Sequence, residues 1–291
     1  MATAAVEAPR RRGRRPTPYM LLVPGLLFLL LFYVWPTVQM FFVSLQEGSL
    51  ETGYRLTWHW QTYADAFARY DTQLIRSVVY GLIVTVGCLL ISYPLAYFIA
   101  LRGGRWKNAL LFMVILPFFV SFLIRTLSWK FILADGGFVL GTLKDLGLIA
   151  EDFRLLASPV AVVSGLIYNF LPFMALPLYA SLEKLDRSLL EAAGDLYSNR
   201  VMVFFKVTLP LSLPGVFAGS LLTFIPSVGD FINAALLGST NTTMIGNVIQ
   251  RRMLINNDYP EGAAISFILM VGILIGVFLY AKLLGTEELT G

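Results

Sequence analysis

Six apolar stretches, each long enough to cross a bilayer, divide the chain at roughly 19–45, 77–101, 108–133, 155–181, 209–229 and 263–284. A span needs about 20 apolar residues at a rise of about 1.5 Å each. The pattern therefore predicts an all-α integral membrane fold with six transmembrane helices. The polar intervals set its orientation, because Lys and Arg accumulate in short cytoplasmic loops. Residues 1–18 hold Arg10, Arg11, Arg12, Arg14 and Arg15 against Glu7, and 101–108 holds Arg102, Arg105 and Lys107 with no acid. By contrast, 134–154 holds Asp135, Asp145, Glu151 and Asp152 against Lys144 and Arg154. Both termini are expected in the cytoplasm, with 1–18 a basic disordered arm, 19–285 the membrane domain and 286–291 a tail. A cleavable leader is the competing reading of the basic start. The run 19–45 exceeds the roughly 7–15 apolar residues of a leader's core and lacks a small-residue cleavage site, which favours an uncleaved first span.

The polar interval 183–215 is the longest charged stretch of the second half. Ser188 with Glu191 has the S-x-x-E form of a capping box, so a short helix is expected to start there. Leu189, Leu190, Ala193 and Leu196 recur on one face of it, and Ala192, Ala193 and Gly194 keep part of it small. Such a face, tethered outside the membrane, is shaped to dock into a groove. Pro210 and Pro214 suit the start of the next helix. Further on, Met244, Ile245, Val248, Ile249 and Met253, with the basic pair Arg251 and Arg252, fit a short amphipathic helix on the external surface. It either touches a substrate-delivery protein or merely caps the bundle.

The run Glu191-Ala192-Ala193, with Leu209-Pro210 downstream, resembles the EAA loop of permease subunits of ATP-binding-cassette (ABC) importers. PFMALPLYASLEKLDRSLLEAAGDLY (Pro172 to Tyr197) and TTMIGNVIQRRML (Thr242 to Leu254) are similar to the spermidine/putrescine branch of that family. Where the family pattern has Gly, this chain has Tyr197, with Gly194 three residues earlier. The resemblance implies the type I importer permease fold in a bacterial inner membrane, and an ATPase-coupling loop at about 183–208. Its coupling residues would be Leu189, Leu190, Glu191, Ala192, Ala193, Gly194, Leu196 and Tyr197. Implied partners are a second permease subunit, two copies of a cytoplasmic ATPase carrying ATP and Mg, and an extracytoplasmic polyamine-binding protein. The lipid bilayer surrounds them, and no cofactor is expected on this chain.

Composition agrees with a membrane protein: of 291 residues, 57% are hydrophobic and only 14% charged, against about 25% charged in soluble domains. The net charge of +4 sits in the arm and short loops, so topology explains it better than nucleic-acid binding. The single cysteine, Cys88, excludes an intrachain disulfide and reads as a packing residue; the single histidine, His59, reads as a loop residue. Trp35, Trp106 and Trp129 read as interfacial anchors. Neither a P-loop, an H-E-x-x-H nor a G-x-S-x-G run is present, so the chain is not expected to be an enzyme.

Prolines 94, 117, 172, 177 and 226 fall inside predicted spans, where each removes a backbone hydrogen bond. Gly215 with Gly219, and Gly272 with Gly276, form G-x-x-x-G pairs, expected to serve intrachain packing. Asp230 is the best-placed acid for an ammonium group at the outer mouth of a pathway, with Phe224 and Phe231 as cation–π neighbours and Tyr168 and Asn169 on the same route. Three bland readings stand beside it: Asp230 ends a helix, Asp230 pairs with Arg125, or Asn169 binds a neighbouring helix. An ABC permease for another small solute, an ion-coupled secondary transporter and, more distantly, a membrane enzyme remain as alternatives; the transporter reading lacks midplane ionisable groups.

Overall fold

The computed structural model describes residues 17–197 and 199–283, and most of them are helical. Most of the arm expected at 1–18, and the whole tail 286–291, lie outside the described residues. Five helices are long and apolar enough to cross a membrane, or six crossings are available if one bent pair acts as a single span.

Helix α1 (17–44) consists of Thr17–Leu29, a π turn at Leu30–Val34 and Trp35–Ser44. In that turn the Trp35 N–H donates to Leu30 O, five residues back, immediately before Pro36. A widened turn there accommodates a residue with no N–H of its own. Trp35 consequently lies within the helix. A hairpin follows in this polar interval, β1 (Gln46–Ser49) antiparallel to β2 (Gly53–Leu56). His59 Nδ1 lies 2.6 Å from Glu47 Oε1 across its base.

Helix α2 (Gln61–Arg102) has 42 residues, about 63 Å at 1.5 Å each, or twice the ~30 Å hydrocarbon layer. It starts well before the expected 77 and kinks at Tyr70, whose φ of −119° and ψ of 18° leave the helical region. The third expected span is broken: Gly104–Phe119 (α3) meets the helical stretch Phe122–Asp145 at 95°. That stretch comprises α4 (Phe122–Leu133) and α5 (Phe138–Asp145). Pro117 sits in the tight turn Leu116–Phe119, and Val120 and Ser121 are extended. Trp129, expected at an interface, instead stacks on Tyr168 at 5.3 Å and 4° and packs against the core.

Next come α6 (Pro159–Glu183), α7 (Arg187–Leu196), α8 (Arg200–Val228), α9 (Ile232–Leu237), α10 (Ile245–Gln250, continued by a π turn at Arg251–Ile255) and α11 (Tyr259–Leu283). The start of α8 is nine residues earlier than the expected 209. The reason is again a π turn, Phe204–Thr208, in which Leu209 N–H reaches Phe204 O just before Pro210. Pro210 is thus inside a helix rather than at its beginning.

Helices α2, α6 and α8 form the core, with Val84, Cys88, Leu166, Met174, Leu178 and Val216 buried between them. Gly215 and Gly219 permit the α6–α8 approach: a Cβ on Gly215 would fall 2.5 Å from Ser181 Cβ, and one on Gly219 2.8 Å from Met174 Sδ. Gly219→Val is therefore expected to destabilise the subunit by about 1–3 kcal/mol, the usual range for overpacking, read as a lowered melting temperature in detergent. The second pair behaves otherwise, since a Cβ on Gly272 or Gly276 would meet nothing within 4 Å.

The stripe expected on an external surface is buried. Met244, Ile245 and Val248 turn into the protein, the latter two against Ala66, Tyr70 and Ile265. The segment caps the bundle because α10 closes over the kinked start of α2 and the first turns of α11. Arg252 fixes it there: Nε and Nη2 donate to Tyr70 Oη at 2.9 and 2.6 Å, and Nη1 lies 2.9 Å from Glu261 Oε2. Arg69 holds the other oxygen of Glu261 at 2.8 Å.

Candidate docking helix and translocation site

Helix α7 is short, and its position depends on caps and one anchored edge. Its N-cap is Asp186, not Ser188: the Asp186 carboxylate accepts the Ser188 N–H at 2.9 Å, and this bond holds its pKa below the ordinary carboxylate value. Ser188 is already inside the helix, so the capping-box start moves back. Asn199 caps α8 in the same way, accepting from Val201 N at 2.9 Å.

The expected apolar face of α7 splits. Ala193 is buried, and Leu190 and Tyr197 are half-buried, making one edge. That edge rests near the first turns of α8, where Lys206 Nζ lies 5.9 Å from the Tyr197 ring centroid. Leu189 is 52% exposed and Leu196 75%, and with Ala192 they follow i, i+3, i+7 spacing along a second, uncovered edge. Glu191 and Gly194 are also exposed. Tyr197 has φ −108° and ψ 101°, an extended conformation open to any L residue, so this turn does not require glycine. A Cβ on Gly194 would meet nothing; Gly194→Ala is expected to raise local helix stability by about 0.5–1 kcal/mol, measured by slower amide exchange over 190–197.

A second constellation lies inside the bundle, where α4, α6 and α9 meet. Asn169 Nδ2 donates to Thr126 Oγ1 and to Asn233 Oδ1, both at 3.0 Å. Asn233 Nδ2 donates to Asp230 Oδ2 at 3.1 Å, and Asn233 N–H to Asp230 Oδ1 at 2.8 Å. Asn169, Asn233 and Thr126 are fully buried and Asp230 is 8% exposed. Asp230 follows the end of α8 and belongs to the turn into α9; burial pushes its pKa up to about 6 against the bonds from Asn233 and Ala234 that lower it. Asn169 Oδ1 and Thr223 Oγ1 are buried without a partner among the described residues.

Not every expected pathway residue joins this cluster. Asp230 and Asn169 do, linked through Asn233. Tyr168 is 38% exposed on the other side of Asn169, against Trp129. Phe224 packs toward Gly81 and borders an apolar groove of about 720 Å³ that also includes Phe41, Trp60 and Phe267. Phe231 is 38% exposed, and its carbonyl accepts from Asn247 Nδ2 at 2.7 Å. Pairing of Asp230 with Arg125 is not observed. Among the described residues Arg125 makes no ion pair; its guanidinium lies 5.8 and 5.7 Å from the ring centroids of Phe118 and Phe122, with Nε and Nη1 unbonded. Thr126 and Asn233 were not singled out in the sequence. Asn233 had a local signal, three residues after Asp230 in an Asx-capping relation.

A bundle of spanning helices, with a short amphipathic helix held outside it and a buried polar cluster within, defines a membrane-embedded transport subunit. Residues 92–284 match the family model described as "Binding-protein-dependent transport system inner membrane component". The chain belongs to that family. It is 38% identical over 258 residues to the spermidine/putrescine transport system permease protein PotB of Haemophilus influenzae, covering 88% of this chain and 90% of the relative. With PotB of Escherichia coli K12 the identity is 41% over 202 residues, or 69% and 74% of the two chains. The inner membrane ABC transporter permease protein YdcU of Escherichia coli K12 is 34% identical, covering 76% of this chain and 74% of the relative. Among solved structures, a bacterial ABC transporter involved in import of the acidic polysaccharide alginate shares the fold at TM-score 0.70 and 19% identity, covering 94% of this chain and 96% of that one.

Proposed function

We propose that this chain is one permease subunit of an ATP-driven importer that carries polyamines such as spermidine and putrescine across the inner membrane. The observation that carries the substrate class is the 38% identity to PotB along 90% of its length. A second permease completes the path, an extracytoplasmic binding protein delivers the substrate, and two copies of a cytoplasmic ATPase supply the work, with ATP and Mg held there. Helix α7 is the coupling contact. Closure of the ATPase pair pushes on its uncovered Leu189–Ala192–Leu196 edge, and the anchored Leu190–Ala193–Tyr197 edge passes the displacement to α8.

Six spans and a cytoplasmic α7 are part of this reading, and a parity argument supports them. Lys107, at the start of α3, pairs with Glu183, at the end of α6, so both lie on one side of the membrane. Between them α6 crosses once, and a return to the same side requires the bent α3–α5 pair to supply the second crossing. The same count follows from Tyr54 in β2, which bonds to the carbonyl of Asn257 just before α11. The side shared by Arg102, Arg105, Lys107, Arg200 and Lys206 is the cytoplasmic one by charge.

Purified importer in proteoliposomes is expected to accumulate labelled spermidine with ATP and not with a proton or sodium gradient. Accumulation driven by a gradient alone would overturn the reading. A reporter fused after Gly291 is expected in the cytoplasm, and one inserted after Gly147, in an exposed turn, outside. A cytoplasmic signal at Gly147 would mean that the bent pair does not cross.

A further inference from the structure

The basic pair Arg251–Arg252 divides in the structure, and the division leaves one arginine free at a pocket. Arg252 is committed to Tyr70, Asp258 and Glu261. Arg251 is exposed and makes no ion pair or side-chain hydrogen bond among the described residues. It lines a pocket of about 370 Å³ together with Ser239, Thr240, Thr243, Asn247 and Gln250. No acidic side chain lines the pocket. The Asn247 amide is already used, accepting from Met244 N and donating to Phe231 O, whereas the Gln250 amide has no partner among the described residues. Thr243 Oγ1 already donates to Thr240 O at 2.8 Å, so the free polar chemistry is one guanidinium, an amide and the hydroxyls of Ser239 and Thr240.

That set rejects a cation. A polyamine ammonium would find no carboxylate and would face the like charge of Arg251. It suits a carboxylate, which a guanidinium can hold through two parallel N–H···O bonds while Gln250 donates alongside. The pocket is also firmly built, because α10 is fixed to the α2 kink and the start of α11 through Arg252. The same segment is tied to the β1–β2 hairpin, where the Tyr54 hydroxyl donates to Asn257 O.

We propose that this pocket receives an aspartate or glutamate side chain of the extracytoplasmic binding protein, with Arg251 as the residue that recognises it. The proposal rests on the reading above of an importer whose 238–258 segment is external. An acceptor pocket held apart from the substrate's cationic route lets the delivery protein be gripped by its own negative charge while its cargo is repelled from that grip.

The test uses the assembled importer in lipid nanodiscs, titrated with its binding protein while ATPase stimulation is recorded. Arg251→Glu is expected to raise the half-saturating concentration at least tenfold and to flatten its rise with salt; Arg251→Lys, which keeps charge but not the fork, is expected to raise it severalfold. An unchanged half-saturation in Arg251→Glu overturns the proposal, and so does loss of the second permease from the purified complex, which would assign the pocket to the subunit interface. Arg251→Cys in a Cys88→Ala background, labelled with a membrane-impermeant maleimide, separates the two layers. Labelling from the cytoplasmic side alone would refute the orientation. External labelling with an unchanged titration would refute only the pocket.

Discussion

Leu196→Asp is expected to abolish ATP-driven uptake and to release the ATPase, while the subunit inserts and melts as the parent does. Leu196 is 75% exposed at the end of α7, so its replacement disturbs little inside the chain. Fully burying a leucine contributes about 1.5–3 kcal/mol, and each 1.4 kcal/mol is tenfold in affinity. Losing that contact and placing a charge in an apolar groove should weaken ATPase binding by at least about 100-fold. Ala193→Leu serves as the contrast. Ala193 belongs to the buried edge, so a larger side chain there pushes α7 off the start of α8, and the defect should appear as a loosened 187–208 segment before any loss of ATPase. Normal recovery of ATPase and normal uptake with Leu196→Asp would remove α7 from the coupling role.

How the sequence encodes these features differs by element. The spans were legible because bilayer thickness demands long apolar runs, and five of the six expected runs contain single helices. The break at 120–121 was not legible, because the run 108–133 is as apolar as its neighbours. Pro117 marks the place, yet Pro172 and Pro177 lie inside an unbroken α6, so proline alone does not distinguish a break from a tolerated defect. The π turns before Pro36 and Pro210 show one way in which the ladder absorbs such residues.

Helix α7 is visible in the sequence as a polar island, but Asp186 and Ser188 are both competent caps, so the pattern alone leaves its first residue open. Its two edges could not be separated either, because helical spacing puts Ala193 between Leu190 and Leu196 and only the contact with α8 decides which side is covered. Contacts such as Tyr70 with Arg252, 182 residues apart, leave no local pattern at all. For the same reason the stripe of Met244, Ile245 and Val248 fits a helix on the external surface as well as one that caps the bundle: amphipathicity reports an apolar neighbour without saying which one it is.

Asp230→Asn is expected to reduce spermidine uptake about tenfold at limiting substrate and pH 7.5, and to remove an acid limb from the pH profile. The substitution is mild for the backbone, since Asn and Asp are comparable N-caps and the Asn233 N–H keeps an acceptor. What it removes is the negative charge, at the one place where a buried carboxylate is linked to the Asn233–Asn169–Thr126 chain. With a pKa near 6, Asp230 is largely ionised at pH 7.5, half ionised at pH 6 and about one-tenth ionised at pH 5. If the ammonium requires the carboxylate, uptake at limiting substrate falls by about half at pH 6 and about tenfold at pH 5. Acid unfolding through this group cannot imitate that limb. Its folded value lies above the ~3.9 of an unfolded chain, so ionisation is what costs stability above pH 6, and that cost shrinks as pH falls toward 4. The measurement is initial uptake from pH 5 to 8 in proteoliposomes buffered inside at a fixed pH, alongside recovery of the assembled complex. Unchanged uptake and an unchanged profile would leave Asp230 as the cap of α9 alone; failure to assemble would assign it to the packing of α4, α6 and α9.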